Sequence, residues 1–596
     1  MNFFKTSRND KLTCTLCQHY CDIPLNQTGI CGVNKNTGNN IECLVYGYPA
    51  VINIDPIEKK PLYHVLPQTK TLSIGTVGCN FKCSFCQNHG ISQEKSINKD
   101  KYYSPESIVK MALVNNCESI SYTYNEPTIF YPYIKDIATL AKKNGLKNIF
   151  VSNGFESSEV INDMAGLIDA ANIDLKSYDK EYYKKHLGGN LDKLKENLKL
   201  FKKLGIWIEI TTLVIPGLND SNEELNNIAL FIHDELSSTT PWHLSAFHPD
   251  YKMLDKPRTS NKSLQNAYNI GKKVGLKYVY MGNAGLENNS KCTKCDEIYL
   301  QRITYKTTID NRKYGLQCNS CNSKLDGVYK SARTMSVADT FYSSSCSEIK
   351  KKFNHFDAIL KDAKFNNTPP FIPKAIISPH AGFVYSGFTA NAVYTMLDSI
   401  HPKTILVIGP SHKHRFKNAS VSMFEQYNTP CGNINIDLDY ASYLKKQYDF
   451  LDFYPTVHNE HSTETQMPFI KARFPKSKIV EIVYGDIHHD KLSLIIDEVF
   501  LKYSHIFVVI STDLSHFYSK EKAKKLDNIC LQAIINLDIS TWDTGCEACG
   551  RVGVKALIKS ANNYKLNSKL IDYRTSADIT KDDSSVVGYS SAILGI

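Results

Sequence analysis

Short apolar runs alternate with longer amphipathic segments along most of this chain. Thr71-Leu-Ser-Ile-Gly-Thr-Val77, Ser119-Ile-Ser-Tyr-Thr-Tyr124, Asn148-Ile-Phe-Val151, Ala171-Asn-Ile-Asp-Leu175, Ile206-Trp-Ile-Glu-Ile-Thr-Thr-Leu213 and Tyr278-Val-Tyr280 read as strands. Ser104–Asn116, Ile134–Lys143 and Asp192–Leu204 read as helices. The first starts with Ser at the cap, Pro105 in the first turn and Glu106 behind it. Repeated strand–helix units imply an α/β fold with a parallel sheet and crossover helices. The stretch from Gly327 to Lys352 is rich in Ser and Lys and suits a junction, and a second α/β pattern runs on to Ile596. No internal repeat is evident.

The second pattern holds three segments with one grammar. Ala375-Ile-Ile-Ser-Pro-His380, Thr404-Ile-Leu-Val-Ile-Gly-Pro-Ser-His412 and Ile506-Phe-Val-Val-Ile-Ser-Thr-Asp-Leu-Ser-His516 each run from an apolar strand through turn-forming residues to a histidine. Such runs read as buried parallel strands, and ligands of parallel sheets bind beyond the carboxyl ends of the strands. The three imidazoles are therefore expected to converge on one crevice. Cys549, in Cys546-Glu-Ala-Cys549-Gly-Arg, precedes a helical pattern over Val552–Ala561. A helix N-terminus lowers a thiol pKa and favours a metal-binding thiolate. Cys546 and Cys549 alone also have the spacing of a redox pair. Glu460-His461-Ser-Thr-Glu464 adds polar groups whose partners the sequence does not assign.

At 596 residues the chain exceeds one ordinary domain. Its 42% hydrophobic and 22% charged content fits a soluble globular protein. The net charge of +10 is spread among acids without a long basic run, so nucleic-acid binding is not expected. No apolar signal core opens the chain and no stretch is long enough to span a membrane, so a cytoplasmic location without membrane contact is expected. Eighteen cysteines in a reducing cytosol point to metal ligands or redox groups before disulfides.

Three cysteines carry the strongest signal. Gly78-Cys79-Asn-Phe-Lys-Cys83-Ser-Phe-Cys86 places C-x3-C-x2-C on a loop after the first strand. Thiolates are the usual ligands of iron–sulfur clusters, and three of them leave one iron of a cubane open for a chelating substrate. Cys292, Cys295, Cys318 and Cys321 form two C-x2-C knuckles with zinc-ribbon spacing. Cys14, Cys17, Cys21 and Cys31 are less regular and fit zinc, a second cluster or a redox role. Expected regions are a Cys-rich stretch over 1–65, a cluster-bearing domain over 66–285, a ribbon-like module over 286–328 and a further domain over 329–596.

The three-cysteine motif resembles the radical S-adenosylmethionine (SAM) superfamily. Asp55-Pro-Ile-Glu-Lys-Lys-Pro-Leu-Tyr-His64, Gly75-Thr-Val-Gly-Cys-Asn-Phe-Lys-Cys83, Tyr122-Thr-Tyr-Asn-Glu-Pro-Thr128 and Leu213-Val-Ile-Pro-Gly-Leu-Asn-Asp220 extend the likeness to glycyl-radical-enzyme activases, and closer still to the radical SAM protein of the AmmeMemoRadiSam system. The resemblance implies a full or partial (β/α) barrel and a 4Fe-4S cluster on Cys79, Cys83 and Cys86. It also implies SAM bound by the strand-end groups Asn125, Glu126, Ser152 and Asn153, with Glu126 accepting from the SAM ammonium. Asp174, Lys176 and His248 are implied active-site contacts. A ferredoxin or flavodoxin is the implied electron donor, and an AMMECR-type protein a further partner.

The Pro-His-Ala-Gly, Gly-Pro-Ser-His, Glu-His-Ser-x-Glu, Ser-x-Asp-x-Ser-His and Cys-Gly-Arg elements resemble the Memo family, whose fold is that of class III extradiol dioxygenases. That resemblance implies iron(II) held by His380, His412 and Cys549, with His516 as acid–base group or extra ligand. Cys549 stands where the dioxygenases use a carboxylate, so ordinary ring cleavage is not expected. Three functions follow. In the first, a radical SAM enzyme hands its product or target to the Memo half. In the second, the Memo half is a metal-stabilised docking module. In the third, the chain is an activase for a separate glycyl-radical enzyme.

Overall fold

A computed structural model of the protein describes residues 3–7 and 11–596. The chain divides into two compact units, one up to Tyr329 and one from Lys330 onward. Among the described residues, no helix is long and apolar enough to cross a membrane.

The first unit is built on an eight-stranded sheet whose spatial order follows the chain: Val51–Pro56, Lys70–Gly75, Ser119–Tyr122, Lys147–Ser152, Ala170–Asp174, Trp207–Val214, Trp242–Ala246 and Val279–Gly282. Val51–Pro56 runs antiparallel to its neighbour, and every other pairing is parallel. This is the open, partial form of the expected barrel. The register sets Ile74 beside Tyr122, and Tyr122 beside Phe150, so the carboxyl ends of these strands lie side by side. The intervening helices start where hydroxyls cap them. Ser104 accepts from Ser107 N ahead of Pro105–Val114, and Ser157 accepts from Val160 N ahead of Ser158–Met164. The helix Leu191–Lys203 buries Leu194, Leu198 and Phe201 and exposes its lysines, the one-sided pattern of a crossover helix. Gly154, just beyond Lys147–Ser152, has φ +75°, and a Cβ there would lie 2.1 Å from Leu194 Cδ1. Only glycine lets that turn lie against the helix.

The second unit has a nine-stranded sheet. From one edge the order is Leu451–Asp452, Ala419–Val421, Lys478–Tyr484, Thr404–Pro410, Ile506–Ser511, Pro373–Ser378, Val586–Gly595 and His516–Tyr518, with Asn567–Thr575 also paired to Val586–Gly595. Lys478–Tyr484, Thr404–Pro410, Ile506–Ser511 and Pro373–Ser378 are mutually parallel and buried on both faces. They account for the unbroken apolar runs.

Two sequence expectations change. The Ser- and Lys-rich stretch is not a simple junction. Ala332–Arg333 pairs with Gln426–Tyr427, Arg333 is 1% exposed, and the helix Cys346–Asp362 begins before the stretch ends. Four cysteines expected as ligands or redox groups are instead paired as disulfides, Cys346 with Cys431 and Cys530 with Cys546. Cys546 therefore does not pair with Cys549, which remains a free thiol. The folded chain brings sulfurs together that the sequence separates by 85 and 16 residues.

Candidate functional sites

Cys79, Cys83 and Cys86 are half-buried on the loop that leaves Lys70–Gly75. The Phe81 amide donates to Cys79 Sγ (3.4 Å), and Cys86 Sγ lies 3.2 Å from Ser92 Oγ. Burial, then Glu126 and Cys83, push the Cys79 thiol well up; burial likewise pushes Cys83 up to about 11. Lys176 donates to Asp174 (2.6 Å) on the fifth strand's end. Burial opposes its charge, but Asp174 and Cys83 outweigh burial and hold the ammonium above its ordinary range. A fixed cation thus faces the cluster loop. His248 is exposed, its Nδ1 3.3 Å from Gln87 Nε2 beside Cys86.

The strand-end polar groups are hydrogen-bonded to one another and to the cluster loop. Glu126 is 2% exposed. Its carboxylate accepts from Thr128 N (3.0 Å), Thr128 Oγ1 (2.6 Å), Ser152 Oγ (2.8 Å) and Asn153 N (2.8 Å). It ties two loops together: three of these bonds fall on Oε1, and Oε2 takes the bond from Asn153 N. Asn125 accepts from Thr76 N and donates to Gly78 O, tying the next strand's end to the cluster loop. Asn153 donates to Asn80 (2.7 Å) in that same loop. Glu156, which no motif marked, is fully buried and shares Ser152 and Thr128 with Glu126. Burial and the neighbouring Glu126 push its carboxyl up to about 8. One of the pair therefore holds a proton near neutral pH.

In the second unit His380, His412 and His461 place imidazole nitrogens within 4.8 Å of one another. Ring centroids are 5.1 Å apart for His380 and His412, 5.4 Å for His380 and His461, and 4.4 Å for His412 and His461. His380 and His412 follow Pro373–Ser378 and Thr404–Pro410 at their carboxyl ends. His461 opens the short helix His461–Glu464. Cys549 Sγ is 3.2 Å from His380 Nε2 and accepts from the Asp513 amide at 3.2 Å. Asp513 in turn accepts from the His380 amide (2.7 Å). Glu460 accepts from His412 N (2.6 Å), His412 Nδ1 (3.1 Å) and His461 Nδ1 (2.9 Å). Burial opposes its charge, yet hydrogen bonds from His412 and His461 outweigh it and hold the carboxyl far below its ordinary range.

Two features depart from the sequence reading. The third imidazole of the cluster is His461 rather than His516. His516 is half-buried on the edge strand His516–Tyr518, within electrostatic reach of His380 and Asp513 but outside the close group. The thiol of Cys549 is not lowered by its helix. The helix Arg551–Asn563 does begin two residues later, but burial and Asp513 push the thiol up to about 12.

The four ribbon cysteines also converge. Cys292 and Cys321 sulfurs are 3.7 Å apart, Cys295 and Cys318 3.6 Å, and all four lie within 4.8 Å. Tetrahedral zinc with bonds of 2.3 Å separates its sulfurs by about 3.8 Å, so this group fits one zinc ion.

Fold and residues together describe a parallel-sheet domain with a cluster-type cysteine loop, joined to an α/β domain with a histidine-rich centre. The radical SAM superfamily model matches residues 73–231 and the Memo-like protein model matches residues 333–593. The chain belongs to the MEMO1 family through its second part and carries a radical SAM domain in its first. A MEMO1 family protein of Sulfurisphaera tokodaii is 31% identical over 282 residues, 44% of this chain and 99% of that protein. An uncharacterized protein of Methanocaldococcus jannaschii is 38% identical over 330 residues, 55% of this chain and 98% of that one. A domain of pyruvate-formate lyase-activating enzyme from Bacteroides vulgatus is 16% identical with a TM-score of 0.26, over 28% of this chain and 99% of that chain.

Proposed function

We propose that the chain is a radical SAM enzyme of the AmmeMemoRadiSam type, whose Memo-like half holds iron(II) and acts on the same pathway. The observation that carries the first part is the C-x3-C-x2-C loop at the carboxyl end of the second strand in a sequentially ordered parallel sheet. Cys79, Cys83 and Cys86 would hold a 4Fe-4S cluster. Their half-burial, the amide at Cys79 and the cation of Lys176 suit an anionic thiolate cluster. Bound there, the cluster supplies the electron for reductive SAM cleavage and hydrogen abstraction from the substrate. The protein's own part is positioning. Asn125 and Asn153 brace the cluster loop from two strand ends, and Asp174 fixes Lys176 against Cys83. His248, exposed beside Gln87, is free to meet a ligand. Glu126 supports this site through Ser152 and Asn153.

For the second part, His380, His412 and His461 are the close imidazole ligands, and Cys549, beside His380 but outside that close group, is the added thiolate ligand. A thiolate and an imidazole on one ion lie about 3.1–3.6 Å apart for ligand angles between a right angle and tetrahedral, and the observed separation is 3.2 Å. Imidazole and thiolate both suit iron(II). A divalent cation also overrides the burial that keeps Cys549 protonated. Glu460 fixes the tautomer and orientation of two ligands, the usual task of a carboxylate behind a metal-bound histidine. His516, at the edge of the group, is placed for acid–base work. Anaerobic reconstitution with SAM and dithionite tests the radical half: the protein should release 5′-deoxyadenosine, and Cys83→Ala should release none. Unchanged release by Cys83→Ala overturns the assignment.

A further inference from the structure

The four amino-terminal cysteines, whose metal the sequence left open, line one cavity. Cys14, Cys17, Cys21 and Cys31 all face it, with Leu16, Ile23 and Ile30 as apolar walls. None of the four is in a disulfide. Asn34 Nδ2 lies 3.4 Å from Cys31 Sγ. N–H groups aimed at sulfur stabilise thiolates far more than thiols.

Spacing separates the possible occupants. One zinc ion draws its four sulfurs to about 3.8 Å of one another, and the ribbon cysteines stand at 3.6 and 3.7 Å. Among the described residues, no three sulfurs of the amino-terminal group come within 4.8 Å of one another, although all four face the same cavity. The Cys79, Cys83 and Cys86 sulfurs share that wider spread. A cubane explains it, because its terminal thiolates sit on four different irons. The cavity also adjoins the catalytic loop. Asn80 is one of its walls; its carbonyl lies 3.0 Å from His19 Nε2, and its Oδ1 accepts from Asn153 Nδ2 at 2.7 Å. A Cβ on Gly78, which has φ +88°, would stand 2.7 Å from the Cys31 carbonyl oxygen. The backbones of Cys17 and Glu156 pair as an isolated antiparallel β-bridge.

We propose that Cys14, Cys17, Cys21 and Cys31 hold a second 4Fe-4S cluster, next to the catalytic one and capped by protein at all four irons. Such a cluster has no open corner for SAM.

The test uses the full chain, reconstituted anaerobically with iron and sulfide. A triple variant, Cys79→Ala, Cys83→Ala and Cys86→Ala, should retain about four acid-labile sulfides per chain. Its dithionite-reduced EPR signal should not move when SAM is added. Cys14→Ser with Cys21→Ser should lose about four sulfides and keep a signal that SAM does perturb. If the second variant fails to fold, Cys31→Ser added to the triple variant replaces it, and sulfide left unchanged there overturns the proposal. Absence of labile sulfide in the triple variant, a SAM-shifted signal there, or one extra zinc in place of iron overturns the proposal.

Discussion

Glu460→Gln is the sharpest probe of the histidine centre. Glu460 is fully buried, and its two oxygens accept from His412 Nδ1, His461 Nδ1, Ser462 N, His412 N and Lys413 N at 2.6 to 3.2 Å. Glutamine keeps the shape but offers one acceptor oxygen. Its NH2 must face either the two imidazole N–H groups or the two backbone N–H groups, donor against donor. Rotating the amide moves the clash without removing it. Loss of a buried carboxylate behind metal-ligating histidines costs about 10–100-fold in metal affinity, which is about 1.4–2.8 kcal/mol. Anaerobic iron(II) titration against a competing chelator reads that change, and thermal unfolding without metal separates it from a loss of fold. A folded Glu460→Gln chain that binds iron(II) as tightly as the parent refutes the reasoning.

Three further outcomes are expected. Arg333→Met removes the guanidinium that donates to Glu464 and to the Glu460 carbonyl, both buried, and leaves Glu464 charged among Ser336, Val337 and Tyr342. Denaturant unfolding should show a loss of about 3–5 kcal/mol, much of it recovered by adding Glu464→Gln. Glu156 has its pKa raised by burial and Glu126 from 4.5 to about 8. The folded state thus binds the proton more tightly. That stability is complete below about pH 4.5 and lost as pH rises through about 8, and Glu156→Gln should flatten this part of the stability profile. Replacing Cys295 and Cys318 by Ser should remove one zinc per chain by elemental analysis, and loss of iron with sulfide in its place would show a cluster in the ribbon.

The sheet strands were legible because both of their faces are buried, so Ile405–Ile408 and Ile506–Ile510 carry no polar residue to blur the run. The cluster loop was legible because cysteine spacing is local. His380 and His412 were legible because a strand end is a local feature too. His461 was not. It sits on a helix of four residues, which Glu460, reaching to the His412 loop, and Ser462, bonded to Pro410 and Ser511, hold against the other two. The sequence shows Glu460 and His461 as neighbours but not that they face the same site as His412. The motif around Glu126 was legible, but not that its carboxylate also ties Thr128, Ser152 and Asn153 together. Arg333 lies in a polar stretch, and nothing local announces its burial against Glu464.

The two sheets differ in the order in which a ribosome can complete them. In the first, each strand from Lys70–Gly75 to Val279–Gly282 pairs with the strand made just before it. The sheet can therefore grow during synthesis, with loop closures that stay short. Its cysteine loop emerges after the second strand, and the strand ends that brace it follow within about one crossover each. The second sheet has no such order. Val586–Gly595 must enter between Pro373–Ser378 and His516–Tyr518, and it also pairs with Asn567–Thr575. The sheet whose strand ends carry His380 and His412 is therefore incomplete until residues 586–595 have been made. The first sheet can thus be complete while Pro373–Ser378 in the second still has an unpaired edge.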